Sequence, residues 1–150
     1  MFGPDDVFLT TVVRLLRILP IYPMFGRGET KLQPIYVEDV AEGIARVFSG
    51  AGGSVASYEF AGARVYTYKD LLRTVADRIG ARPRLVPLPF ALWQILALGA
   101  EFLPGSPLTR NQIALMQHDN VPAVDCPGLS NLDITPTEID AFVPAVTDWS

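Results

Sequence analysis

The sequence predicts an α/β fold. Three observations carry that expectation. Gly26–Phe48 joins a glycine-rich turn, a short hydrophobic strand and an amphipathic helix; Ser57–Pro89 repeats the alternation as strand, capped helix and strand. The chain has 150 residues, 49% of them hydrophobic, which is enough for one domain with its own core. Residues 1–150 are accordingly read as a single α/β domain.

In chain order, Asp5 and Asp6 supply an N-terminal helix signal, and a helix is predicted over Val7–Leu19. Leu9, Val12, Val13, Leu16 and Leu19 share one side, Arg14 and Arg17 lie outside it, and Pro20 stops the run. Leu15–Phe25 is apolar, but Arg17, Pro20 and Pro23 break it well short of the roughly twenty residues a bilayer-spanning helix needs. Met1 runs directly into Phe2-Gly3-Pro4 and acidic residues, without the pattern of a signal peptide. Gly26 and Gly28 permit the positive φ of a tight turn. A strand is predicted over Leu32–Val37, with Ile35 and Val37 as its β-branched residues. Asp39 then stands where a helix should start, its carboxylate suited to the orphan amides there. Val40, Ile44, Val47 and Phe48 make one apolar face of that helix.

Ser49–Ser54 reads as a loop of small residues. Ser57–Ala61 reads as a strand, because Tyr58 and Phe60 alternate with other residue types. Thr67 and Asp70 form a capping-box-like pair before Leu71, Leu72, Val75, Ala76 and Ile79, Gly80 ends that helix, and Arg84–Pro89 supplies the next strand. Phe90–Leu103 is the most hydrophobic helix, with only Gln94 and Glu101 clearly polar. Burial is the expectation there, and a partner-facing or membrane-surface helix is the alternative; Trp93 suits either. A turn at Pro104–Pro107 and a Thr109 cap precede a short helix through Ile113, Leu115 and Met116. His118–Ser130, with Pro122 and Pro127, is predicted irregular, and Thr135–Glu138 caps a last short helix to about Phe142.

Charge and composition narrow the functional classes. A net charge of −4 without a basic stripe argues against a nucleic-acid partner. Cys126 is the one cysteine and His118 the one histidine, so no internal disulfide, metal site or catalytic constellation is expected, and a reducing compartment fits. The hydrophobic content is high for a freestanding domain. It implies an apolar face covered by a partner or by a second copy of the chain.

Several motifs together carry a family resemblance. Gln33-Pro34-Ile35-Tyr36-Val37-Glu38-Asp39-Val40-Ala41, preceded by Gly26-x-Gly28, resembles a stretch in the C-terminal half of extended and atypical short-chain dehydrogenases/reductases. Phe2-Gly3-Pro4 is similar to the V-[FY]-G-P that follows that family's catalytic tyrosine and lysine. Leu108-Thr109-Arg110-x-Gln112, Asp119-Asn120-Val121, Ile134-Thr135-Pro136-Thr137 and Phe142-Val143-Pro144 resemble the C-terminal pattern of one branch. That branch includes the nucleotide-binding accessory subunit of respiratory complex I and its bacterial relatives. The resemblance implies the C-terminal part of a Rossmann-like fold with its small substrate domain, lacking the N-terminal dinucleotide-binding βαβ units.

Two motifs of such a protein are missing here. There is no G-x-x-G-x-x-G to bring backbone amides to a pyrophosphate, since Gly50, Gly52 and Gly53 follow a helix among small residues. No tyrosine has a lysine four residues later. The resemblance therefore implies NAD or NADP in a longer protein and no cofactor for this chain alone. It places Phe2, Gly3 and Pro4 beside the nicotinamide, and Gln33, Tyr36 and Asp39 along a substrate wall; from spacing alone, Asp39 could equally be a cap and Tyr36 a strand residue. The expected partners are the missing N-terminal half or a second copy, with respiratory-complex or membrane-surface contact, in the cytoplasm or peripheral to the inner membrane. Members acting on nucleotide sugars carry an arginine where Leu32 stands, and leucine cannot hold a diphosphate. Lys31 would point to the opposite strand face. The leading expectation is thus a non-catalytic substrate- or partner-binding portion; a non-enzymatic assembly module and a nucleotide-sugar epimerase or dehydratase are the alternatives.

Overall fold

A computed structural model describes residues 1–3, 6–50, 57–100, 110–123 and 125–141, with only the backbone described at Gly99, Ala100 and Arg110. Helix α1 (Val7–Ile18) starts as the sequence predicts. The Asp6 carboxylate accepts the Phe8 N–H at 2.9 Å, and Leu9, Val12, Val13 and Leu16 are buried. The helix ends one residue before the predicted Leu19, and Asp5 lies outside the described residues.

Strand β1 (Ile21–Phe25) follows, in a segment where no strand was expected. It pairs in parallel with β4 (Arg84–Leu88), Tyr22 opposite Leu85 and Met24 opposite Pro87. Each of these strands contains a proline. Among the described residues the sheet has two strands, so each strand has an unpaired edge where a missing N–H costs nothing. The crossover between them holds β2 (Lys31–Leu32), α2 (Val37–Phe48), β3 (Tyr66–Thr67) and α3 (Tyr68–Arg78), with β2 and β3 antiparallel. The turn into β2 uses positive φ at Gly26 (55°) and Gly28 (74°), as predicted.

The predicted strand over Leu32–Val37 is cut to Lys31–Leu32. Pro34 offers no N–H, and the next backbone groups pair elsewhere: Phe2 donates to the Ile35 carbonyl at 2.8 Å and accepts from Val37 at 2.9 Å. Val37 is therefore the first residue of α2, Tyr36 is its N-cap, and Asp39 lies in the first turn rather than at the cap. The apolar face of α2 is also redistributed. Asp39 and Gly43 point inward, Val40 and Val47 are half-buried against Ile35, Leu129, Leu132 and Ile134, and Ile44 and Phe48 are exposed, Phe48 at 88%.

Tyr58 and Phe60 pack on this second cluster without forming the predicted strand over Ser57–Ala61; the Glu59 N–H donates to the Pro127 carbonyl, and among the described residues no strand runs beside them. Of the predicted Ser49–Ser54 loop, residues 51–54 lie outside the described residues. Helix α3 keeps its predicted cap: Thr67 Oγ1 accepts the Asp70 N–H at 3.1 Å and donates to the Asp70 carboxylate at 2.7 Å. Tyr68, Leu71, Leu72, Val75 and Ala76 of α3 join α1, β1 and Phe2 in the main core.

Helix α4 (Phe90–Ala100) corrects the expectation of burial. Ala97 is fully covered, Phe90 and Trp93 lean on the core, and Leu92, Ile95, Leu96 and Leu98 are exposed. The Trp93 indole N–H donates to the Met24 carbonyl at 3.1 Å, so one side of the helix is fixed to β1. Residues 101–109, with the predicted turn and Thr109 cap, lie outside the described residues; α5 (Arg110–Leu115) follows and buries Ile113. The expected irregular excursion ends in an unforeseen 3₁₀ turn, Leu129–Leu132. Residues 139–141 are helical, and Phe142 onward is not described. Among the described residues no helix is long and apolar enough to cross a membrane.

Asp39 ties α2 to the segment around Thr137. Its buried carboxylate accepts from the Thr137 N–H at 2.6 Å and from the Thr137 hydroxyl at 3.0 Å. Replacing Asp39 with Ala removes both bonds and should lower unfolding stability by about 1.5–3 kcal/mol, the range for hydrogen bonds to a charged group. Urea titration by circular dichroism measures it; a loss below about 0.5 kcal/mol would leave the tie without energetic weight.

Candidate functional site

A cavity of about 640 Å³ opens where α1, β1, α4 and α5 meet. Its walls are mostly apolar, from Leu9 and Val12 of α1, Phe25 of β1, Trp93 of α4 and Met116 after α5. Phe25 anchors an aromatic tier: its ring centroid lies 4.4 Å from that of Trp93 and 5.7 Å from that of Tyr68, both pairs tilted. No lysine or arginine lines the cavity among the described residues. Asp6 is the one acidic side chain among the described lining residues, and its carboxylate already accepts from Phe8.

The polar lining residues include Thr11, Tyr22, Gln33, Tyr68, Gln112 and Asn120. Tyr22 of β1 and Tyr68 of α3 bring their hydroxyls to 3.2 Å of one another in the buried interior. Burial raises the Tyr22 phenol above its ordinary value of 10.0 and pushes that of Tyr68 well above it, with Tyr22 itself adding to the second shift. Both remain phenols across the physiological range. Gln33 donates its side-chain N–H to the Gly62 carbonyl at 2.7 Å. Gly62 cannot carry a side chain, because a Cβ there would lie 1.7 Å from the Pro34 oxygen. Asn120 pairs with β2, giving its N–H to the Lys31 carbonyl and accepting from Gln33, while Asp119 accepts the Lys31 N–H.

The residues singled out from sequence separate here. Phe2 and Gln33 line the cavity, as does Leu32 in the position where a diphosphate-binding arginine would stand. Lys31 faces solvent on the other side of β2. Gly3 is buried against Val37, whose Cγ1 would be 2.7 Å from a Cβ at that position, and Pro4 lies outside the described residues. Tyr36 stacks at a tilt on Phe2, 5.5 Å between centroids, and its phenol is raised by desolvation and then by Glu38. Neither Tyr36 nor Asp39 lines the cavity, and the Asp39 carboxylate is engaged by Thr137. Tyr22, Tyr68, Gln112 and Asn120 were not foreseen as cavity residues. Tyr68 was within reach, since residues 68, 71, 72 and 75 share one helical face.

The residues expected beside the nicotinamide are committed to local contacts. Phe2 spends its backbone N–H and C=O on Ile35 and Val37, Gly3 answers to Val37, and among the described residues no lysine or arginine side chain enters the cavity wall. No group of three His, Cys, Asp or Glu side chains among the described residues is placed to hold a metal. Desolvation and the Glu59 carboxylate raise the Cys126 thiol, the opposite of an activated nucleophile.

Comparison with known proteins gives a consistent kinship. Over 95% of its length the chain is 30% identical to the mitochondrial NADH dehydrogenase [ubiquinone] 1 alpha subcomplex subunit 9 of Arabidopsis thaliana, covering 38% of that protein. The proteins of the same name from Dictyostelium discoideum and Rattus norvegicus are 26% and 27% identical over 93% of the chain, which covers 40% and 37% of them. The chain thus spans about two fifths of the length of the curated relatives it matches. No protein-family model matches it. The crystal structure of gox2253 shares the fold, with a TM-score of 0.59 at 23% identity over 96% of this chain and 43% of that one. The resemblance to the accessory-subunit branch and the α/β fold class are both borne out.

The tyrosine pair sets a pH dependence. In the unfolded chain both phenols ionise near 10.0, whereas in the folded chain both values lie higher, so the unfolded state holds fewer protons once the pH passes about 10. Stability should therefore be unaffected by this pair below pH 9 and fall progressively above 10. Urea midpoints across that range check it: the double variant Tyr22→Phe/Tyr68→Phe should show a shallower alkaline loss, and an unchanged slope would exclude the pair as its source.

Proposed function

We propose that this chain is the substrate- or partner-binding C-terminal portion of an NAD(P)-binding, short-chain dehydrogenase/reductase-like protein of the complex I accessory-subunit kind, and that these residues alone do not transfer hydride. One observation carries the reading. Kinship with subunit 9 runs across 93–95% of the chain, yet the sequence holds neither the glycine-rich phosphate motif nor a tyrosine with lysine four residues on. In this reading the diphosphate is held outside these residues, and the cavity is the substrate side of the complete protein. Phe2, Gly3 and Pro4 approach the nicotinamide end, Gln33 borders the substrate, and Tyr36 and Asp39 hold that wall in place from behind. The setting proposed is the cytoplasm, at the periphery of the inner membrane, in contact with a respiratory complex.

A fluorescence titration with NADPH and NADH tests this directly. The chain alone should give no saturable signal, and the same chain joined to its dinucleotide-binding half should bind. Saturable binding by the chain alone would overturn the reading.

A specific observation also favours a second role, an assembly module. The α4 residues Leu92, Ile95, Leu96 and Leu98 are exposed together on a helix whose opposite side is fixed to β1. The double variant Leu96→Asp/Leu98→Asp should fold with stability changed by less than about 1 kcal/mol, because neither side chain is in the core. It should also lose co-purification with the NADH dehydrogenase complex. Unfolding, or undiminished co-purification, would count against this second role.

A further inference from the structure

We propose that the cavity binds a neutral, lipophilic molecule whose carbonyl oxygen accepts the proton that the Tyr22–Tyr68 pair leaves unspent. The proposal rests on taking the cavity as the substrate side of the protein and goes further by naming the chemical class it admits. At about 640 Å³ the space is that of a small-molecule pocket, and its surface is mainly hydrocarbon and aromatic. The two hydroxyls carry two protons between them. Their mutual bond at 3.2 Å uses one, and the other has no acceptor among the described residues, although Tyr68 is only 1% exposed. A buried donor in that state is matched by an oxygen that accepts.

The remaining lining groups argue against an anion. Gln33 and Asn120 donate their side-chain N–H groups to backbone carbonyls, and Asp6 caps α1. With no lysine or arginine among the described lining residues, a phosphate or carboxylate would enter the apolar space without a side-chain counter-charge. Leu32 offers hydrocarbon where an anion would need a guanidinium. Burial also holds both tyrosines in the phenol form, so they donate rather than repel. A ketone, ester or similar neutral carbonyl meets all of these conditions.

The test uses three probes of matched shape, 2-acetylnaphthalene, 2-ethylnaphthalene and 2-naphthoate, titrated against the chain by ligand-observed NMR. The ketone should bind roughly fivefold more tightly than the hydrocarbon, the effect of one net hydrogen bond. The carboxylate should bind more weakly than either. In Tyr22→Phe/Tyr68→Phe the ketone should fall to the level of the hydrocarbon while hydrocarbon binding is unchanged, which also shows that the cavity persists. Equal binding of ketone and hydrocarbon by the parent, a ketone preference that survives the double substitution, or carboxylate binding equal to that of the ketone would each overturn the inference. Loss of ketone selectivity with the expected dinucleotide result sinks this inference alone; dinucleotide binding by the chain alone, with selectivity intact, sinks only the earlier reading.

Discussion

The parallel pairing of β1 with β4 is the constraint on which the rest of the structure depends. Parallel neighbours cannot be joined by a tight turn, so the chain between them must leave the sheet and return. Everything from the Gly26–Gly28 turn through α3 occupies that excursion. Because Tyr22, Met24 and Phe25 are buried on β1, the ladder delivers an aromatic and a sulfur-bearing surface to α3 and α4 together. The hydroxyl contact of Tyr22 with Tyr68, the Trp93 bond to the Met24 carbonyl and the cavity between them all follow from that one register.

What was legible in the sequence was what local chemistry decides. The Asp6 and Thr67 caps, the Gly26 and Gly28 turn, and the helices after each cap needed nothing beyond a few neighbouring residues. β1 was hidden because Pro20 and Pro23 read as breaks, and its pairing with a strand far along the chain leaves no local trace. The Leu129–Leu132 turn was hidden likewise: three apolar residues around Pro127 and Asp133 have no period, and their burial comes from α2 and Tyr58 docking on them. Asp39 shows the same limit from the other direction. Its position suggested a cap for its own helix, yet its carboxylate serves Thr137, a partner that no local pattern could reveal.

The site divides along the same line. Gln33 and Leu32 were visible because the motif around them is contiguous, and Leu32 already argued against a diphosphate ligand. Gln112 and Asn120 stood in recognisable motifs without an evident task. The structure gives Asn120 one, since its backbone continues the edge of β2 and its side chain ties Leu115 and His118 to that edge. The cavity wall is thus built from a long-range backbone bridge, and side-chain identity alone does not announce it.

Helices α2 and α4 share a rule that explains why hydrophobicity misplaced their inner faces. In α2 the face that docks is the one with Gly43, where a Cβ would meet Leu129 at 2.8 Å and Phe60 at 2.9 Å. In α4 it is the face with Ala97, which is 0% exposed, flanked by Phe90 and Trp93 at helical spacing. Large side chains at those positions would hold each helix away from its neighbour, so a small residue fixes which side can approach closely. Once that side is set, Ile44 and Phe48 on α2 and Leu92, Ile95 and Leu96 on α4 must turn outward, however apolar they are. A helix that is apolar nearly all round states how much of it can be buried. The small residue states where.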